Sequence, residues 1–236
     1  MERRGRCART PAGAPASPLV RHDGPVRDLE QDWAATVRAA GATADDDTVA
    51  AAGADLLTRW RAAERRYHDA EHLAEVLDAV DALAASAGDA AAVRLAAWFH
   101  DAVYEGRPGD DEQHSAELAE QVLTALGVPA ERVGQVRRLV LLTAAHDPAP
   151  GDDDGAVLSD ADLAILASPP ERYGRYVRSV REEYATVPEQ LFREGRALVL
   201  RALDAAPQLY RTPLARERWE AAARANLARE LTALET

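Results

Sequence analysis

Apolar side chains recur every three or four residues through almost all of the chain beyond its first two dozen positions. That spacing places them on one face of an α-helix, which turns once every 3.6 residues. "VRDLEQDWAATVRAAG" sets Val26, Leu29, Trp33 and Val37 in one stripe and stops at Gly41. "DDDTVAAAGADLLTRWRAAERR" opens on acids and closes on arginines, the order that a helix dipole favours. Leu73, Val76, Leu77, Val80 and Leu83 form the stripe of "DAEHLAEVLDAVDALAASAG", and "DAAAVRLAAWFHDAVY" predicts a fourth helix. "DDEQHSAELAEQVLTALG" ends at Gly127, and "PAERVGQVRRLVLLTAAH" opens on Pro129, a residue suited to a first turn. The turn residues of "DPAPGDDDG" predict a loop, with its aspartates 152 to 154 in solvent. Four further helical stretches follow, "AVLSDADLAILAS", "PPERYGRYVRSVREEYATV", "PEQLFREGRALVLRALDAA" and "PLARERWEAAARANLARELTAL", with breaks at Pro169, Pro170, Pro188, Pro207 and Pro213. The sequence shows no alternating strand pattern, internal repeat or glycine-rich phosphate loop. The expected fold is therefore all-α, a globular array of about ten helices, with residues 26–236 as a single domain. Residues 1–25 are rich in Pro, Gly, Ala and Arg, lack any apolar period, and are expected to form a flexible tail.

Composition narrows the function. The net charge of −12 argues against a general nucleic-acid surface, which needs clustered cations to replace counterions. It still permits a small anionic substrate, because a bound cation reverses the field locally. The lone cysteine, Cys7, excludes an intramolecular disulfide and a C-x-x-C metal site. No apolar run approaches the roughly 18 residues of a membrane span. The N-terminal arginines are followed by no apolar signal segment. A cytoplasmic protein without membrane contact is expected.

Five of the six histidines fall between residues 68 and 146. In "RYHDAEH", His68 and His72 are four residues apart, and a helix begun by His68 would place both rings on one face. The plain alternative is a polar helix start. In "LAAWFHDAVYEG", His100 and Asp101 follow the most apolar run of the chain. Burying a carboxylate costs several kcal/mol unless it is compensated, and a divalent cation compensates strongly. Histidine nitrogen with carboxylate oxygen suits zinc, manganese or iron better than calcium. Asp160 and Asp162 precede and open the apolar run of "LSDADLAIL", where helix capping would explain one of them, while the flank of Asp162 heads into the core. His146 falls at a predicted helix end, and His114 in a first turn, where a solvated role is expected.

His72, then His100-Asp101, then Asp162 resembles the ligand order of the HD-domain superfamily of metal-dependent phosphohydrolases. "YHDAEH", "WFHDAVY", "DADLAIL" and "PPERY" are similar, in the same order, to motifs of its bacterial group of predicted HD phosphohydrolases, and the likeness runs from about residue 27 to "RANLARE". The resemblance implies hydrolysis of a phosphate ester, of a nucleotide or another small phosphorylated metabolite, by a metal-activated water. His72, His100, Asp101 and Asp162 would hold a divalent metal ion (Mn, Fe, Zn, Co or Mg). Asp101 would also orient the water, and His68 would protonate the leaving oxygen. His146, Asp160, Tyr104 and Arg66 would contact substrate or support the ligands. The phosphodiesterase branch carries a second histidine where this chain has Tyr104, so one metal is expected here rather than two. A catalytically silent nucleotide-binding or regulatory module is the alternative.

Overall fold

Ten α-helices and two short 3-10 segments make up the regular structure of the protein, seen in a computed structural model that describes residues 27–107 and 109–235. There is no strand among the described residues. The tail expected over residues 1–25, with Cys7 and His22, lies outside them. The helices are α1 (Leu29–Ala39), α2 (Asp46–Trp60), α3 (Ala70–Leu83), α4 (Ala90–Phe99), α5 (Asp110–Ala125), α6 (Ala130–Leu142), α7 (Asp153–Asp162), α8 (Pro170–Glu183), α9 (Glu189–Ala205) and α10 (Pro213–Glu235). Aspartates 28, 45, 69, 89 and 152 begin α1, α2, α3, α4 and α7, each accepting from backbone N–H groups of the first turn.

The sequence dictates which helix lies at the centre. α4, "AAAVRLAAWF", is apolar nearly all round, and such a helix is stable only when covered on every side. It packs against α1, α3, α5, α6 and α7, and Val93 and Leu95 to Phe99 are fully buried. Two tryptophans from α1 and α2 fill the space beside it. Trp33 meets Trp98 and Phe99 edge-on, with ring centroids 5.3 and 5.9 Å away. Trp60 donates its indole N–H to the Trp98 carbonyl at 3.0 Å, on the turn that leads to His100. α1 and α2 approach so closely that a Cβ on Gly53 would lie 2.4 Å from Trp33 Cδ1. No helix among the described residues is long and apolar enough to cross a membrane.

Several element boundaries differ from those expected. α3 starts at Ala70, so His68 precedes the helix. α4 ends at Phe99, with His100 as its C-cap. α7 starts at Asp153, three residues before the predicted run. The aspartates at 152 to 154 are therefore not a solvated loop. Asp152 caps α7, and Asp154 is buried, accepting from the N–H groups of Gly88 and Asp89 at 2.8 and 2.9 Å. In turn, Asp160 and Asp162 lie in the last turn of α7 and cap no helix start.

Candidate metal centre

Three helix ends and one turn converge below α4. His72 comes from the first turn of α3, His100 from the C-cap of α4, Asp101 from the residue after it, and Asp162 from the last residue of α7. His72 Nε2 lies 3.2 Å from His100 Nε2 and 3.2 Å from Asp162 Oδ1. Asp101 Oδ2 lies 3.2 Å from His100 Nε2 and 3.8 Å from His72 Nε2. One ligand atom each from His72, His100 and Asp162 falls within 4.8 Å of the others. Both imidazoles are buried, at 2% and 1% exposure.

The chemistry of this donor set fits a divalent cation. His100 Nδ1 is 2.8 Å from the Ala97 carbonyl, to which it donates, so its Nε2 lone pair faces the cluster. Fixing one ring nitrogen with a carbonyl is how proteins orient metal-binding histidines. Two imidazole nitrogens and two carboxylates face one another there, and a cation would accept a lone pair from each of the four. Two nitrogens with two oxygens suit zinc, iron, manganese or cobalt. Among the protein groups themselves, a proton supplies the compensation. Burial opposes charge on His100, but Asp101 and Asp162 outweigh it and raise its pKa well above the ordinary value. Burial likewise opposes charge on the two aspartates, yet His100 holds both below the usual carboxylate range.

His68 stands beside the cluster, its ring centroid 5.7 Å from that of His72. Its Nδ1 lies 2.7 Å from Glu183 Oε2, at the end of α8. The other oxygen of Glu183 accepts from the backbone N–H groups of Arg66, Tyr67 and His68 at 2.9, 2.8 and 3.0 Å. Burial alone would raise the Glu183 pKa, but these donors outweigh it and hold it at about 2. Burial alone would lower that of His68, but Glu183 and Asp101 outweigh it and raise it. With Nδ1 engaged, Nε2 is the His68 atom left for chemistry. Tyr104 stacks on the same ring at 4.3 Å and donates its hydroxyl to Glu183 at 3.2 Å.

His146 reaches the site from the turn after α6. Its Nε2 is 2.7 Å from Asp162 Oδ2, and its backbone is left-handed, at φ 50°. A residue with a Cβ adopts that conformation at a cost, and the return is an aimed imidazole. Asp160 does not join the cluster. It lies about 200° around α7 from Asp162. Fully buried, it accepts from Arg211 and Thr212 N–H, both at 2.7 Å, and fixes the approach to α10. Arg66 also stays outside, its guanidinium on the carbonyls of Ala63 and Arg65. His114 is exposed on α5.

No family model matches the chain, and no curated protein matches it. The site therefore rests on its own geometry.

Three further residues, which the sequence motifs do not assign to the site, contribute to it. Glu183 orients His68. Arg65, buried, donates to the carbonyls of His68, Asp101 and Ala102 at 2.6, 2.8 and 3.3 Å, tying the His68 segment to the turn after α4. Asp111 holds the 105–107 loop through Oδ2, while its buried Oδ1 has no hydrogen-bond partner among the described residues. It lines a polar cavity of about 190 Å³ together with His68, Asp101, Tyr104, His146 and Asp162.

Proposed function

We propose that the protein is a metal-dependent phosphohydrolase that cleaves a phosphate ester, of a nucleotide or another small phosphorylated metabolite. The observation that carries this reading is the convergence of His72, His100, Asp101 and Asp162, of which Asp101 and Asp162 reach a small polar cavity that His68 also lines. These four residues would hold the cation, which supplies Lewis acidity and a lowered water pKa when bound. Asp101 holds the attacking water through its carboxylate. His68, whose pKa the neighbouring Glu183 raises, donates from Nε2 to the leaving oxygen. Tyr104 stacks on the His68 ring and Arg65 holds its backbone carbonyl. His146 holds Asp162 in orientation through its second oxygen. The acidic lining of the cavity disfavours a bare anion, so a cation is what makes phosphate binding favourable there.

The test is turnover of a panel of nucleotides and model phosphate esters with Mn²⁺, Mg²⁺, Co²⁺ or Zn²⁺, on the wild type and Asp101→Ala. Metal-dependent release of product by the wild type, lost with the metal in Asp101→Ala, is the expected result. Tight nucleotide binding without turnover across the panel would contradict the reading and indicate a regulatory module.

A further inference from the structure

His68 lines two cavities. One is the polar cavity of the candidate metal centre; the other is an apolar cleft of about 480 Å³ between α8 and α9. Tyr184, the C-cap of α8, also lines both, so the two spaces meet at these two side chains. The cleft is walled by Tyr176, Val180 and Tyr184 on one side and by Leu191, Phe192 and Val199 on the other. The one arginine among its described lining residues, Arg196, is already taken: it donates to Glu230 at 2.8 Å and to the Tyr176 hydroxyl at 2.9 Å, while His68 is paired at Nδ1 with Glu183. Leu191 and Val199 are 59% and 52% exposed at its rim.

We propose that this cleft receives the leaving group of the substrate, and that the group is uncharged and apolar or aromatic. The inference rests on the phosphohydrolase reading and deepens it. An ester whose phosphate lies in the polar cavity has its bridging oxygen at His68 Nε2, and whatever that oxygen carries extends past Tyr184 into the cleft. The rings of Tyr176, Tyr184 and Phe192 offer stacking and apolar contact there. Apart from His68, which the bridging oxygen occupies, a second phosphate or a carboxylate finds no unpaired cation among the described residues that line the cleft, which disfavours bisphosphates and phosphorylated acids. The preferred substrate is thus an aryl or bulky apolar ester with a single phosphoryl centre.

Binding of two non-hydrolysable probes, 1-naphthylmethylphosphonate and methylphosphonate, measured calorimetrically with Mn²⁺, tests this without needing turnover. The naphthyl compound is expected to bind at least about tenfold tighter to the wild type, from the apolar area it buries. Val199→Glu, at an exposed rim position that does not endanger folding, is expected to cut that margin to less than about threefold. Equal binding of the two probes, or a margin that survives Val199→Glu, would overturn the proposal. So would a concentration-dependent dimer that Val199→Glu dissolves, since a second copy would then cover the cleft. Turnover of 1-naphthyl phosphate separates the two readings. A retained margin without turnover sinks the hydrolase and keeps the cleft; turnover without a margin does the reverse.

Discussion

His68 and Glu183 are the pair on which the chemistry turns, and their roles separate from those of the metal-facing residues. His68→Ala is expected to leave metal content unchanged and to lower turnover by about 10²- to 10⁴-fold, the usual worth of a positioned acid. Loss of metal in that variant, read by elemental analysis, would make His68 a ligand instead. The pair also stabilises the fold within a defined pH window. Glu183, lowered to about 2 from an ordinary 4.5, contributes above pH 4.5 and loses that contribution as pH falls toward 2. His68, raised from an ordinary 6.5, contributes below pH 6.5 and loses it as pH rises through the raised value. The stability gap between wild type and Glu183→Gln is therefore expected to be widest between about pH 4.5 and 6.5, measured by urea denaturation. A gap that does not vary with pH would contradict the pairing. His72, His100, Asp101 and Asp162 were legible because the motifs carry them in order. Glu183 was not, since 115 residues separate it from His68. Its signal was its phase: it continues the buried series Tyr173, Tyr176 and Val180 at helical spacing. Asp111 likewise continues the buried phase of Ser115 and Ala119.

At the scale of the elements, the helices were legible and their ends were not. The 3.6 period reports a buried face over three or four turns, whereas a boundary depends on one cap. The run before α7 looked like solvated acid because nothing local showed that Asp154 would meet Gly88, 66 residues earlier in the chain. Asp160 and Asp162 looked alike in sequence and lie on nearly opposite faces of α7, so only Asp162 meets the histidines. α8 is pinned to α3 by a two-point Arg172–Glu75 pair, at 2.7 and 2.6 Å, and this holds Glu183 at His68. The α1–α2 contact gives a further prediction. Gly53→Ala gains up to about 1 kcal/mol of helix propensity. Its Cβ would meet the buried Trp33 ring, held by a 2.8 Å bond from Nε1 to the Val49 carbonyl. Overpacking of about 1–3 kcal/mol should win, lowering the thermal midpoint. A raised midpoint would show that the indole moves aside.

For the molecule as a whole, the candidate site is where three helices bring titratable side chains together. α3, α4 and α7 pack against one another and deliver two imidazoles and two carboxylates to one point. A ligand that binds only the folded chain stabilises it, by about 2.7 kcal/mol at a hundred times its dissociation constant. Divalent cation should therefore raise the thermal midpoint of the wild type and leave that of Asp162→Asn unmoved. The most direct measurement of the central claim is metal content, by elemental mass spectrometry, of protein purified without chelator and of its Asp162→Asn variant. The wild type is expected to carry about one transition-metal ion per chain and the variant less than about a tenth of that, as expected when a buried ligand is removed. A wild type that holds no metal and takes up none, or a variant that retains it in full, would contradict the metal centre.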